Sequence, residues 1–168
     1  PVYKRNARNI GELGIGLIVL DHHDMVTPID KGYLINNQDH RYNVSRNGSG
    51  ALVTHKFLQG LDNQFGLDWS GYFIDLVALS LVSDSMIMSE MENREYYHFG
   101  LETRDCINNE FLGAMIDRFI GSDTYTQRDL GFKIVPKLNS VCRCNDVELK
   151  QQLILAFIGQ CDINETLN

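Results

Sequence analysis

The sequence is short of several features that would each assign a class of protein. It has no run of about 18 apolar residues, and no apolar segment follows its first few residues, so neither a transmembrane helix nor a signal peptide is expected. Its 15 Lys and Arg residues are outnumbered by 22 Asp and Glu residues, for a net charge of -7. This balance argues against a protein that holds nucleic acid by bulk electrostatics, because such binding depends on neutralising phosphates. A cytoplasmic protein without membrane contact is expected.

Cysteine pairs at zinc-site spacing are also missing. The four cysteines include no C-x-x-C pair, and a single residue separates Cys142 from Cys144. Reduced, structural thiols are therefore expected. The 168 residues, 43% of them hydrophobic, are enough for one domain with a sizeable core. Because the chain starts on Pro1 and a helical pattern begins almost at once, we expect it to be part of a longer protein.

The pattern of apolar residues predicts an α/β first half that runs into a helical second half. Two strands of a parallel sheet are predicted, the first an apolar run that suits burial on both faces. The predicted strands are residues 15–20 and 32–35, followed by a polar loop over residues 36–50. Helices are predicted over residues 3–13, from Ser49 to about residue 61, and over residues 70–82, 93–106, 110–120 and 146–158, with Gly14 as the C′ residue of the first and Ser49 as the N-cap of the second.

The first predicted strand is followed directly by Asp21, His22 and His23. Ligands collect beyond the carboxyl ends of parallel strands, so these side chains are expected at the edge of the sheet where chemistry takes place. A neutral imidazole binds a borderline cation through one nitrogen while a carboxylate holds its other N–H. We therefore assign His22 to metal, His23 to a substrate phosphate or a proton, and Asp21 to a supporting position behind them. A surface histidine pair with a capping aspartate explains the three residues equally well.

Longer stretches of the sequence resemble the DHH phosphoesterase superfamily, and within it the RecJ-like single-strand-specific 5′-exonucleases. The resemblance covers most of the chain and is carried by residues 20–23, 48–56, 75–84 and 134–143. Residues 92–94, Glu-Asn-Arg, also look like RecJ. In the family, the last segment ends with two small residues, then a glycine, then an arginine. This sequence has Val141 in place of one small residue and Cys142 in place of the glycine.

The resemblance implies roles for residues in each segment. His22 and Asp84 would bind the same metal ion, and His23 would lie close to the scissile phosphate. Ser49 and Gly50, at a helix start, would bind phosphate through free backbone N–H groups.

Two residues of the last segment would contact the nucleic acid. Asn139 and Arg143 would face its phosphates, where a guanidinium grips two oxygens. Without the resemblance, Asp84 and Arg143 read as solvated residues and Ser49 as an ordinary helix cap.

The family also uses groups that this sequence does not contain. Its enzymes bind two ions, commonly Mn²⁺ although Mg²⁺ is an alternative, and several ligands come from an Asp-x-Asp strand end and a further Asp upstream of the histidines. His22 and Asp84 supply only part of such a site, so the chain alone is expected to be inactive. We assign residues 1–130 to a partial catalytic domain and residues 131–168 to a connecting segment and linking helix toward a second domain.

Three functions follow as expectations. The first is metal-dependent 5′–3′ hydrolysis of single-stranded DNA, with replication or recombination proteins as partners. The second is a DHH phosphodiesterase for short oligoribonucleotides or cyclic dinucleotides. The third is a non-catalytic subunit that keeps the fold as a scaffold.

Overall fold

The structure is a computed structural model that describes residues 10, 12–24, 29, 31–41 and 45–166. Most of the helix predicted for residues 3–13 lies outside these residues. Gly14, the predicted C′ residue, has a φ of 72°, the left-handed conformation that favours glycine there.

Two short parallel strands form the sheet in the described part of the chain. They are β1 (Ile18–Asp21) and β2 (Tyr33–Asn36), paired so that Ile18 lies opposite Tyr33 and Asp21 opposite Asn36. The parallel pairing was predicted, but the expected burial of the first strand on both faces is wrong, since Ile18 is 51% exposed. Strands of a parallel sheet are buried where helices cover both faces, and the described elements do not provide that cover here.

Gly32 is required where β2 enters the sheet. Its φ is 101°, and a Cβ atom at this position would lie 2.6 Å from the Leu17 carbonyl oxygen. That carbonyl accepts a hydrogen bond of 2.8 Å from the backbone N–H of Tyr33. The close approach of the two chains at the start of the pairing therefore excludes a side chain at residue 32.

From residue 50 onward the described chain is helical. The α-helices are α1 (Gly50–Phe65), α2 (Ile74–Ser83), α3 (Met91–Leu101), α4 (Glu110–Phe119), α5 (Gln127–Asp129), α6 (Val135–Arg143), α7 (Val147–Phe157) and α8 (Ile163–Thr166). Short 3₁₀ turns occupy Ser70–Phe73 and Arg104–Cys106. The helices predicted from Ser49 and over residues 70–82, 93–106, 110–120 and 146–158 are confirmed within a few residues, and the Ser49 hydroxyl caps α1 as expected.

The sequence pattern did not predict the helical segment over residues 127–143. It runs from α5 through π-helical turns at Leu130–Ile134 into α6. Gly131 and Pro136 argue against a helix when read in isolation. Pro136, however, directly follows the π-helical turns, at the start of α6, where the pattern of helical hydrogen bonds changes.

The main core lies among the helices. It combines buried residues of α2, α3, α4, the 127–143 segment and α7: Ala78, Leu79, Val82, Leu101, Phe111, Leu112, Met115, Ile116, Tyr125, Leu130, Ile134, Val135 and Ala156. A smaller cluster of Leu52, Val77 and Leu81 joins α1 to α2. Residues on both sides of position 130 share the main core, and the domain boundary expected there stays a prediction.

No helix in the described ranges is both long enough and apolar enough to cross a bilayer. The four thiols are unpaired, as expected.

Candidate functional site

The histidine pair follows β1 directly and is ordered by Asp21. One oxygen of the Asp21 carboxylate accepts hydrogen bonds from the backbone N–H of His22 at 2.8 Å and of His23 at 3.3 Å. The same oxygen accepts a bond from Nδ1 of His23 at 2.8 Å. With Nδ1–H committed to Asp21, the free nitrogen of the exposed His23 ring is Nε2. The arrangement presents one imidazole nitrogen of His23 to solvent beside the neighbouring His22 ring, whose centroid is 4.3 Å away.

The same contacts determine the charge on Asp21. Partial burial opposes its ionisation, but the hydrogen bonds from the His23 ring and from the two backbone N–H groups outweigh that effect. The pKa of Asp21 is consequently lowered, and the carboxylate stays ionised near neutral pH. It therefore holds the ring of His23, and the supporting role assigned to Asp21 stays a prediction.

Two amide side chains at and just after the end of β2 hold the main chain of the histidine pair. The Asn36 amide donates to the His23 carbonyl at 2.8 Å, and the Gln38 amide donates to the His22 carbonyl at 3.2 Å. The Asn36 side-chain oxygen in turn accepts the backbone N–H of Gln38 at 2.8 Å. Asn36 is 1% exposed, so these bonds are shielded from water. The main chain of both histidines is thus held by residues at the end of the second strand.

The start of α1 faces the first histidine. A Cβ atom built on Gly50 would lie 3.3 Å from Cδ2 of His22 and 3.9 Å from its Nε2, so the ring lies against the glycine. Ser49 is fully buried, and its hydroxyl accepts the backbone N–H of Leu52 at 3.3 Å. The structure therefore brings His22 and Gly50 together, two residues that the sequence assigned separately to metal and phosphate.

The loop that leads into α1 is held from the side of the sheet. The buried Asn37 amide donates to the carbonyls of Ser45 at 2.8 Å and Gly48 at 3.0 Å. The Gln38 amide donates to the Arg46 carbonyl at 2.8 Å. These bonds tie the loop to the residues that also hold the histidine pair.

Helix α3 holds the same loop from the other side. The Asn93 amide donates to the Asn47 carbonyl at 2.9 Å, and Glu92 accepts the backbone N–H of Ser45 at 3.2 Å while it pairs with Lys56 at 2.7 Å. The Glu-Asn of residues 92–93, singled out in the sequence, thus fixes the approach to the N-terminus of α1.

Asp84 lies at the C-terminal end of α2 with an exposed side chain. The next residue, Ser85, has a φ of 55°, a conformation that is uncommon for a residue other than glycine. The described ranges contain no group of three or more His, Cys, Asp or Glu side chains arranged to hold a metal ion. An imidazole and a carboxylate are donors that suit Mn²⁺, but two are fewer than a complete site needs. The pairing of His22 with Asp84 stays a prediction.

Asn139 and Arg143 occupy neighbouring turns of α6. Their spacing of four residues places them on one face of the helix, with Asn139 half-buried and Arg143 exposed at the last position. The basic residue of the same segment, Lys137, lies over the ring of Phe119, 4.1 Å from its centroid. The nucleic-acid contacts assigned to Asn139 and Arg143 remain predictions.

Sequence reasoning missed Asn36, Asn37 and Gln38. A signal was available, because three consecutive amide side chains directly follow a predicted strand, at the same edge of the sheet as the histidines.

Comparison with solved structures defines the class of fold. The chain superimposes on a crystal structure of exonuclease RecJ bound to manganese with a TM-score of 0.79 and 21% sequence identity. The match covers 98% of this chain and 40% of that one. The fold is therefore α/β and consistent with a partial DHH-type domain, as predicted.

Comparison with curated proteins gives particular relatives. The chain is 25% identical over 151 residues to the "Putative SPbeta prophage-derived single-strand DNA-specific exonuclease YorK" of Bacillus subtilis (strain 168) and, equally, to the yorK protein of Bacillus phage SPbeta. The aligned residues make up 89% of this chain and 26% of either relative, so the chain spans about a quarter of their length. No family model matches the sequence. The RecJ-like resemblance found in the sequence is confirmed.

Proposed function

We propose that this chain is the part of a metal-dependent single-stranded-DNA exonuclease that carries the histidine pair. The observation that carries the proposal is the ordered His22-His23 segment at the carboxyl end of β1, held by Asn36 and Gln38 and facing Gly50. The names of its relatives, a single-strand DNA-specific exonuclease and a RecJ bound to manganese, support both the substrate and the metal. The proposed reaction is hydrolysis of a phosphodiester from the 5′ end of the strand.

In this proposal the metal is held in part by His22 and Asp84. A bound divalent cation supplies Lewis acidity toward a phosphoryl oxygen. Gln38 holds the main chain of His22, and the ring lies against Gly50. Asp84 contributes an exposed carboxylate at the end of a buried helix.

His23 acts as a general acid or base close to the scissile phosphate. Its Nδ1–H is held by the ionised Asp21, so Nε2 accepts or donates the proton. The backbone N–H groups at the start of α1 bind a phosphate beside Gly50. Asn139 and Arg143 grip the phosphates further along the strand, Arg143 through the fork of its guanidinium.

The test is degradation of a 5′-labelled single-stranded oligonucleotide by the full-length protein with Mn²⁺. We expect His23→Ala to lower kcat by on the order of 10² to 10⁴, the range for loss of general acid–base catalysis, and His22→Ala to lower it at least as much. His98→Ala is the control, because His98 is an exposed histidine on α3 and should keep full activity. Undiminished degradation by the His22→Ala protein would rule the proposal out.

A further inference from the structure

A cavity of about 510 Å³ is lined by the residues on either side of Asp84, Ser83 and Ser85. It lies between the C-terminal end of α2 and the helical segment over residues 127–143. Its polar and aromatic lining comes from Ser83, Ser85, Gln127, Arg128 and Phe132. The volume is within the range of small-ligand sites. Because Ser83 and Ser85 flank Asp84 in the chain, a ligand in this cavity lies next to the predicted metal ligand.

The aromatic residue of this cavity is presented to solvent. Phe132 is 74% exposed, although it belongs to a segment whose neighbours Leu130 and Ile134 are fully buried. The guanidinium of Arg128 lies over the ring, 5.6 Å from its centroid. The π-helical turns at Leu130–Ile134 place Phe132 on the cavity side, and such turns occur often at functional sites.

Arg128 is available to an anionic ligand. No carboxylate lies within 4.0 Å of its guanidinium in the ranges that the structure describes. The neighbouring Asp129 is engaged elsewhere, since it accepts bonds from the backbone and hydroxyl of Thr126 and pairs with Lys133 at 3.2 Å. In a chain with a net charge of -7, this is a local cationic position beside an aromatic face.

We propose that the cavity is a nucleobase subsite for single-stranded DNA, in which a base stacks on Phe132 and Arg128 contacts an adjacent phosphate. This subsite rests on the proposed function for its substrate and guides the strand past Asp84. Exposed aromatic rings combined with a basic side chain are the usual means of binding single strands without sequence preference. Double-stranded DNA does not bind in this way, because its bases are already stacked on each other.

The test measures binding to the full-length protein by fluorescence anisotropy of a labelled oligo-dT in EDTA, so that cleavage does not interfere. Phe132→Ala should raise Kd about tenfold, within the range measured for loss of one stacked base. Phe132→Tyr should stay within about twofold of the wild type, because a phenol ring keeps the stacking surface. Phe65→Ala is the matched control: Phe65 is 66% exposed at the far end of α1, and its loss should leave Kd unchanged.

The salt dependence tests Arg128 separately. Arg128→Gln should reduce the slope of log Kd against log salt by about 0.7, the value for one phosphate contact on a single strand. An unchanged slope would remove Arg128 from the subsite. Unchanged Kd in Phe132→Ala, or equal losses in Phe132→Ala and Phe132→Tyr, would overturn the stacking role of Phe132.

The two proposals fail in different ways. If the wild-type protein degrades single strands and the Phe132→Ala variant binds them as tightly as the wild type, the proposed function stands and the subsite is wrong. If the wild-type protein has no nuclease activity but Phe132→Ala weakens its binding of single strands about tenfold, the subsite stands and the proposed function is wrong.

Discussion

The side-chain amide of Asn36 donates a 2.8 Å hydrogen bond to the main-chain carbonyl of His23. The bond links the ends of the two strands, because Asn36 lies opposite Asp21 in the sheet and Asp21 holds the ring of His23. The geometry of the histidine pair is therefore determined by the pairing of β1 with β2.

Asn36→Ala should destabilise the protein and disorder the histidine pair. The substitution removes the bond to His23 and leaves the half-buried backbone N–H of Gln38 without its acceptor, for a cost of about 1–3 kcal/mol in the free energy of unfolding. Urea denaturation measures that cost. Asn145→Ala, at an exposed position, is the control and should cost less than about 0.5 kcal/mol. Equal costs for the two variants would contradict the role given to Asn36.

Gly50→Ala should reduce nuclease activity without reducing stability. Alanine is favoured over glycine in helices by roughly 0.5–1 kcal/mol, but its Cβ at 3.3 Å from Cδ2 of His22 forces the ring to move. Gly60→Ala is a control within the same helix, because nothing lies within 4 Å of its added Cβ. We expect both variants to unfold at equal or higher urea concentration and only Gly50→Ala to lose activity. Full activity in Gly50→Ala would show that the ring position is not critical.

Asp84→Asn should raise the Mn²⁺ concentration needed for half-maximal activity. The amide keeps the size of the side chain but removes the negative charge that a hard or borderline cation prefers. Titration of activity with Mn²⁺ in the full-length protein measures the change. Asp68→Asn, another exposed aspartate, should leave the titration unchanged. Superimposable curves for the wild type and Asp84→Asn would remove Asp84 from the metal site.

The free energy of unfolding should fall as the pH drops below 6.5, the ordinary pKa of a histidine, because of His55. Burial lowers the pKa of this residue further than the hydrogen bond to the Ser70 carbonyl raises it. Its Nε2–H donates to that carbonyl at 3.0 Å, and in the neutral ring Nδ1 accepts the Tyr96 hydroxyl at 2.9 Å. Well above pH 6.5 the histidine is neutral in both the folded and the unfolded form, so the stability is complete. As the pH falls through 6.5, the unfolded form takes up the proton first.

Urea denaturation at pH 8, 6.5 and 5 measures this loss. His55→Gln should unfold more easily than the wild type at pH 8 and show a weaker dependence on pH in this interval. The depressed pKa values of Asp21, Asp62 and Asp117 act at lower pH, where carboxylates titrate. An equally steep pH dependence in the variant would exclude His55 as the source.

Local patterns were enough to predict most of the helices. The apolar spacing after Ser49 and the caps at Ser49 and Asp146 mark helix starts that depend only on neighbouring residues. Residues 127–143 were missed because Gly131 and Pro136 weaken a helix locally, whereas the burial of Leu130 and Ile134 in the main core stabilises it. Burial of β1 on both faces was predicted wrongly, since it depends on what covers the sheet and not on the strand itself.

The candidate site was only partly predictable for the same reason. His22, His23 and Asp21 stand out because three polar residues end an apolar strand. The contribution of Asn36 and Gln38 depends on the register between two strands, which no local pattern contains. The roles of Asp84, Asn139 and Arg143 came from the resemblance, and the Mn²⁺ titration tests that of Asp84.

The loop before α1 is held by Asn37 from one side and by Glu92 and Asn93 from the other. This has a consequence for the order of assembly during synthesis. The ribosome makes the histidines and Gly50 well before α3, so the start of α1 remains loosely placed until α3 has emerged and docked. The site beside His22 therefore reaches its final geometry only when the later helix is in place.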